Sequence, residues 1–430
     1  MSYQDRLLKV IPGGAHTYSR GFDQFPANAP QILSHGKGAH VFDDAGRRFL
    51  DYGMALRAVN IGYAEDDIDA AAIKQIHRGN NLTRPSLIEL EAAELLVDLI
   101  DSVDMVKFTK NGSTSVSAAV KLARAYTGRD LVARCAEHPF FSYDDWFIGS
   151  TPLTRGVPQD TQAHAKLFHY NDIASLEALI AAYPGQFACV VLEPAATEEP
   201  RDGFLQKVEA LCRRHGIVFI LDEMITGFRW HMKGAQHLYG VKPDLCTFGK
   251  AMANGFSVSC VAGRREIMEL GSIEFEGRER VFLLSTTHGA EMSGLGAFVA
   301  TMRFMQRHDV VGHLWRYGER LVTLMQDKAR THGIEHSFKV GGVACSPWYA
   351  TLDATGAGSL PLRTLFAQEM VRNGVLMPWI ALSYRHGDAA LELTAQALDR
   401  SFAVYRRALD EGVDKHLVGP AIKPVFRKHN

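Results

Sequence analysis

Short apolar runs recur through the middle of the chain, each closed by a polar or glycine-containing turn, and stretches of helical spacing separate them. Residues 131–135, 187–192, 217–221 and 245–248 read as strands. The last two carry almost no polar alternation, which marks a parallel strand buried on both faces. Residues 175–182 and 203–215 have helical spacing and read as the covering helices. Strand and helix alternate, and the alternation is expected to continue through 256–262. The order predicts an α/β fold, a doubly wound parallel sheet.

Upstream, MVKFTKNGSTSVSAAVKLARAYTG predicts a strand, a polar turn and a long helix, and 64–100 has helical spacing broken at Arg78-Gly79-Asn80-Asn81. Alternation around Val41, Phe42, Phe49 and Leu50, interrupted at Asp44-Ala45-Gly46, predicts a hairpin. A short helix and the turn Pro12-Gly13-Gly14 precede it. Downstream, RVFLLSTTHGAEMSGLGAFVATMRFM predicts a strand, a small polar turn and a long helix. Helices to residue 329, over 361–374 and over 391–412, with short strand-like pieces, complete the chain. Its 430 residues exceed what one core usually supports. Neither end alone looks like a complete core, so 1–60 and 301–430 are expected to pack as one smaller α+β domain beside a large domain, 61–300.

Charge and cysteine usage narrow the function classes. A net charge of −1 supplies no basic field for nucleic acid or anionic membrane. The six cysteines show no CxxC pairing and read as reduced core residues, with no metal site expected. The start MSYQDRLLKVIPGG lacks the long apolar core of a signal peptide, and no run approaches about 18 apolar residues. A cytoplasmic protein without a membrane span is expected.

Two strand ends carry the candidate chemistry. The run 217–221 closes on Asp222, and 245–248 closes on Gly249-Lys250. Open parallel sheets bind ligands outside the carboxyl ends of their strands, which would put both residues in one crevice. A lysine amine that holds an aldehyde as a Schiff base and a carboxylate beside a pyridine nitrogen suggest pyridoxal phosphate. The plainer reading is a strand-end acid and an unrelated surface lysine. Gly112, Ser113 and Thr114 sit at a helix start suited to a phosphate, or act only as caps. Ser285, Thr286, Thr287 and Gly289 form a second turn of the same kind. Glu193 ends another strand. The aromatic cluster after strand 131–135, with His138 and Phe140, offers a flat surface for a ring or simply core. Arg20 suits a carboxylate clamp or an exposed loop. Neither a Walker pattern nor a GxGxxG turn points to a nucleotide.

Over nearly its whole length the chain resembles the class III, fold-type I pyridoxal-phosphate aminotransferases, and within them the glutamate-1-semialdehyde aminomutase branch. IPGGAHTYSRGF, GAHVFDDAGRRFLDY, KNGSTSVSAAVKLARAYTGRD, VVLEP, LDEMITGFR, GVKPDLCTFGKAMANG and LSTTHGAE carry the resemblance, and the pairing of LDExxTGFR with PDLxTxGK is its most specific part. It implies a mostly parallel seven-stranded sheet, pyridoxal 5′-phosphate as cofactor, and a homodimer. Lys250 then matches the Schiff-base lysine, Asp222 the acid on the pyridine nitrogen, and Gly112 and Ser113 the phosphate loop. Thr287 matches the threonine reaching the neighbouring subunit's phosphate, Met224 the apolar residue under the ring, and Arg20 the substrate-carboxylate arginine.

The chain also departs from the pattern. Glu137-His138-Pro139-Phe140 replaces the Tyr-His-Gly stacking motif, so His138 or Phe140 takes the ring face. Leu56-Arg57 replaces a substrate-side tryptophan and adds a second cation at Arg57. The aminomutase acid falls in 379–384, which contains none, Ser383 being nearest. The resulting expectation is an aminotransferase acting on a small anionic amino or oxo compound. The alternatives are the aminomutase, moving the group within one molecule, and a non-catalytic cofactor-binding or regulatory protein.

Overall fold

A computed structural model describes residues 1–429. The chain packs as two compact units, one built from Met1–Glu65 with Gly312–Arg427 and the other from Asp66–Val311. Within the second unit the helix Met292–Arg307 packs closely on the helix Asp66–Ile76. A Cβ at Gly296 would lie 2.7 Å from Gln75 Cγ and 3.0 Å from the Ala71 carbonyl oxygen.

The first unit opens with a helix, Tyr3–Val10, and the antiparallel strands β1 (Leu33–Lys37), β2 (His40–Asp43) and β3 (Arg48–Asp51). The expected hairpin is the β2–β3 pair, with Val41 opposite Phe49. Asp43 fixes its turn: the buried carboxylate accepts the N–H groups of Ala45 and Arg47 and the Nε of Arg47.

The second unit is a seven-stranded sheet with helices. In chain order its strands are β4 (Met105–Thr109), β5 (Leu131–Cys135), β6 (Ala165–Phe168), β7 (Phe187–Leu192), β8 (Val218–Asp222), β9 (Leu245–Phe248) and β10 (Ser259–Gly263). They lie in the order β4-β10-β9-β8-β7-β5-β6. Strands β5 to β9 pair in parallel, and β10 runs antiparallel to both neighbours. That last orientation corrects the expectation of continued parallel alternation. Only a short 3-10 turn, Lys250–Ala253, lies between β9 and β10, and a parallel return needs a crossover of a dozen or more residues.

The central runs are apolar throughout because both faces of the sheet are covered. Cys189, Val191, Val218 and Ile220 join one core cluster, with Val116 and Leu122 of the helix Gly112–Thr127. Their neighbours Val190, Leu192, Phe219 and Leu221 join another, with Val208 and Leu211 of the helix Phe204–His215. Truncating Ile220, which is fully buried, to Ala is expected to cost about 2–5 kcal/mol. One expected strand is missing: 281–284 has no regular secondary structure and pairs in no sheet, with Leu283 buried against the first cluster and Phe282 exposed.

The first unit resumes with the helices Leu360–Arg372 and Asp388–Glu411, the hairpin β11 (Phe338–Val343) and β12 (Ser346–Thr351), and β13 (Val375–Leu376), which joins β3 in parallel. All six cysteines are buried and free. Among the described residues no helix is long and apolar enough to cross a membrane.

Candidate active site

Parallel pairing sends the carboxyl ends of β5, β7, β8 and β9 to one edge of the sheet, and the loops there hold most of the expected cofactor residues. Asp222 is the last residue of β8 and is 3% exposed. Its Oδ1 accepts the N–H of Met224 at 2.9 Å and the hydroxyl of Thr247, its register partner on β9, at 3.1 Å. Among the described residues, Oδ2 carries no hydrogen bond. Burial pushes the Asp222 carboxyl up to about 6, and the charge of Lys250 draws it back toward the ionised form. The two strand ends therefore share one electrostatic environment.

Lys250 follows β9 and holds a left-handed backbone, with φ +40°. A lysine in that region costs on the order of 1–3 kcal/mol and persists only where its surroundings fix it. Close packing around Gly249 is one such constraint. A Cβ there would come within 2.5 Å of Met224 Sδ and 2.6 Å of Ser259 Oγ. Gly112 meets the same sulfur, at 2.9 Å from an added Cβ. Met224 thus lies against both the turn that carries Lys250 and the start of the helix Gly112–Thr127.

At that helix start the cap is Asn111, whose Oδ1 accepts the N–H of Thr114 at 2.9 Å. Ser113 is buried, and its Oγ accepts the N–H of Tyr143 at 3.2 Å. Capping therefore falls to Asn111 rather than to Ser113 or Thr114.

His138 and Glu193 also meet. The N–H of Glu193 donates to His138 Nδ1 at 3.0 Å, and both residues are buried. Burial pushes His138 down to about 4, so the ring is neutral. Phe140 instead is 47% exposed and packs edge-on to Phe147. Thr287 lies elsewhere in the unit, in a groove of about 650 Å³ lined by Pro85, Lys107, Leu284 and Gly289 among others and by none of the residues above.

The residues expected on the substrate side belong to the first unit. Arg20 is exposed, makes no ion pair among the described residues, and lines a cavity of about 510 Å³ with Asp51, Ala55, Leu56, Tyr63 and Trp379. Arg57 and Ser383 do not line it. Ser383 is fully buried, with its Oγ 2.9 Å from His386 Nδ1. Arg57 ends a turn of four residues, Met54 to Arg57, that all have positive φ.

Two structural devices had no signal in single residues. Glu223, fully buried, accepts the Thr226 hydroxyl at 2.5 Å and the N–H groups of Ala235 and Gln236, and so ties the loop after β8 into place. Asp51 accepts the N–H groups of Gly53 and Met54 and the hydroxyl of Tyr63, whose oxygen in turn accepts the Ala55 N–H. Only the spacing of acid to turn residues hints at either.

The family model for class III aminotransferases matches residues 24–347. The chain belongs to the class III aminotransferases. It is 30% identical over 422 residues to the 3-aminobutyryl-CoA aminotransferase of Cloacimonas acidaminovorans (strain Evry), covering 95% of this chain and 98% of that one. It also resembles the solved structure of the Sphingopyxis sp. MTA144 FumI protein, at TM-score 0.86 and 26% identity over 95% of this chain and 96% of that one. A glutamate-1-semialdehyde aminomutase from Pseudomonas aeruginosa PAO1 shares the fold, at TM-score 0.81 and 20% identity, with 94% of each chain covered.

This aminotransferase is a pyridoxal-phosphate-dependent transferase. Its residues fit that cofactor: a buried acid with one oxygen uncommitted, a lysine beside it, and a thioether at two glycines where a Cβ would collide. The N-terminal end of the helix Gly112–Thr127 is of a kind that suits an anion.

Proposed function

We infer that this aminotransferase moves an amino group between two separate molecules, at least one of them a small amino or oxo compound with an anionic group. The carrying observation is the pairing of Asp222 and Lys250 at the ends of adjacent strands, with the acid buried and within reach of the lysine's charge. Bound pyridoxal phosphate supplies an aldehyde that carries the amino group and a ring that withdraws electrons.

The remaining work belongs to the chain. Asp222, anchored through Oδ1, keeps Oδ2 to hold a proton on the ring nitrogen. Lys250 Nζ would hold the cofactor by its aldehyde and, when free, would carry a proton from the substrate carbon to the cofactor carbon that bears the amino group. Met224 packs one ring face and His138, neutral and fixed by Glu193, the other. Gly112 and Ser113 hold the phosphate through backbone N–H groups. Thr287, apart from these residues in its own groove, serves the phosphate of a second copy, so the working form is a homodimer. Arg20 holds the substrate's anionic group, and Arg57 is a second candidate cation for it.

Transfer between molecules is favoured over transfer within one. Residues 379–384 contain no acid, and Ser383 is turned to His386. The 30% identical relative is named an aminotransferase. The test is a half-reaction: an amino donor should bleach the bound cofactor's absorbance, and a separate oxo acid should restore it. Conversion of an amino aldehyde to its isomer without any donor would overturn this reading in favour of the aminomutase.

A further inference from the structure

We propose that Glu291 is a positioning residue for the cofactor phosphate: with Lys110, Asn80 and Asn81 it fixes the turn that carries Thr287 relative to the turn that opens the helix Gly112–Thr127. This role rests on the assignment of both turns to phosphate in the functional reading above, and it gives a purpose to the break in helical spacing at Arg78-Gly79-Asn80-Asn81.

All four residues belong to the second unit, and each holds a different segment of it. Glu291 Oε2 accepts Lys110 Nζ at 2.7 Å, and Oε1 accepts Asn80 Nδ2 at 2.7 Å. Both oxygens are engaged, and the bond from Lys110 holds the carboxyl below its ordinary value. Lys110 directly precedes Asn111, the cap of the helix Gly112–Thr127, and its carbonyl takes the Ser257 hydroxyl at 2.5 Å. Asn80 is left-handed, at φ +53°, a conformation that asparagine adopts more readily than most residues. Its carbonyl accepts the Met292 N–H at 2.8 Å and its Oδ1 the Ser293 N–H at 2.9 Å. Asn80 thus caps the helix Met292–Arg307 from outside, where Glu291, the residue in the cap position, makes no side-chain cap. The Glu291 carboxylate is left to bridge two turns. Asn81 completes the arrangement, donating from Nδ2 to the Thr287 carbonyl at 3.0 Å.

A partly exposed ion pair contributes little stability by itself, so the weight of this one lies in geometry. Lys110 stands two residues before Gly112, and Glu291 four after Thr287. The Thr287 turn closes on itself through the Gly289 N–H to the Thr286 carbonyl and the Glu291 N–H to the His288 carbonyl. What holds it to the flanking turns is the Glu291 carboxylate and the Asn81 amide. Displacing a binding group by about 1 Å can cost up to about 10²-fold, so a braced turn matters more to a phosphate than to the fold. In the homodimer the bridge ties the turn holding a subunit's own phosphate to the turn offered to its partner.

The test measures, by equilibrium dialysis, the affinity of the cofactor-free protein for pyridoxal 5′-phosphate and for pyridoxal, which lacks the phosphate. Glu291→Gln should weaken pyridoxal 5′-phosphate about tenfold and leave pyridoxal within about twofold, because the contacts to ring and aldehyde are untouched. Lys110→Met should do the same, whereas Lys110→Arg, which keeps the charge, should retain most of the affinity. Asn81→Ala should weaken the phosphate-bearing ligand alone by about threefold, and it carries the test if Glu291→Gln does not fold. Equal losses for both ligands overturn the positioning role. So does an unchanged affinity in Glu291→Gln where Thr287→Ala loses it, and the assignment of the Thr287 turn to phosphate then stands. If Thr287→Ala also binds pyridoxal 5′-phosphate as wild type does, that assignment falls and the proposal with it.

Discussion

The hydroxyl of Thr247 donates to Asp222 Oδ1 across the β8–β9 pair, and the same oxygen takes the Met224 N–H. One oxygen of the acid is thereby fixed by the sheet and its loop, and the other is aimed by that anchorage. Asp222→Asn preserves the shape and removes the charge. Turnover is expected to fall about 10²-fold or more, while Thr247→Val, which loosens the anchor, costs less. Steady-state kinetics on both variants checks the order.

The same acid gives a pH signature in the cofactor-free protein. Burial raises Asp222 from 3.8 to about 6, so the folded state binds more protons here than the unfolded state between those values. The stability contribution of this group is therefore present below about pH 4 and is lost as pH rises to 6. A shift of about two pH units corresponds to about 2–3 kcal/mol. Denaturant unfolding should show Asp222→Asn gaining that much on wild type between pH 4 and pH 6.5. Added cofactor, by supplying a cationic partner, should erase the difference.

Packing around Met224 predicts graded damage at two glycines. Gly112→Ala meets only the flexible end of Met224, whereas Gly249→Ala meets Met224 Sδ and Ser259 Oγ together. The second should cost about 1–3 kcal/mol and weaken cofactor binding more than tenfold, the first clearly less. Met224→Ala in the Gly249→Ala background should recover part of the loss, as equilibrium dialysis of the cofactor would measure.

Tyr63 joins Asp51 to Ala55 in the left-handed turn beside Arg20. Tyr63→Phe removes a donor from a buried carboxylate and an acceptor from the Ala55 N–H. A loss of about 1–3 kcal/mol is expected on chemical denaturation. The Michaelis constant should rise with little change in the cofactor spectrum.

Arg20→Ala should raise the Michaelis constant for anionic substrates by tenfold or more and leave neutral amines nearly unchanged. Equal effects on both would remove the clamp from this account.

The sequence exposed what depends on local pattern. Runs such as 217–221 read as buried strands because both faces of the sheet are covered, and Asp222 and Lys250 stood out by closing two of them. What it hid depends on partners distant along the chain. Met54-Ala55-Leu56-Arg57 looks like an ordinary helix former, yet Asp51 and Tyr63 hold it left-handed. The apolar stretch 281–284 reads as a strand, but it packs on the core without a sheet neighbour. Strand β10 turned antiparallel because its connection is too short to cross over. His138 and Phe140 are equal candidates by sequence, and what differs between them is set by distant partners: His138 is buried and takes the Glu193 N–H, whereas Phe140 is 47% exposed.

The most direct measurement is borohydride reduction of the purified, cofactor-loaded protein followed by peptide mass mapping. A pyridoxyl group is expected on Lys250 and on no other lysine, absent in Lys250→Ala. A stable adduct at a different lysine, or an unmodified Lys250 in protein that still transfers amino groups, would contradict it.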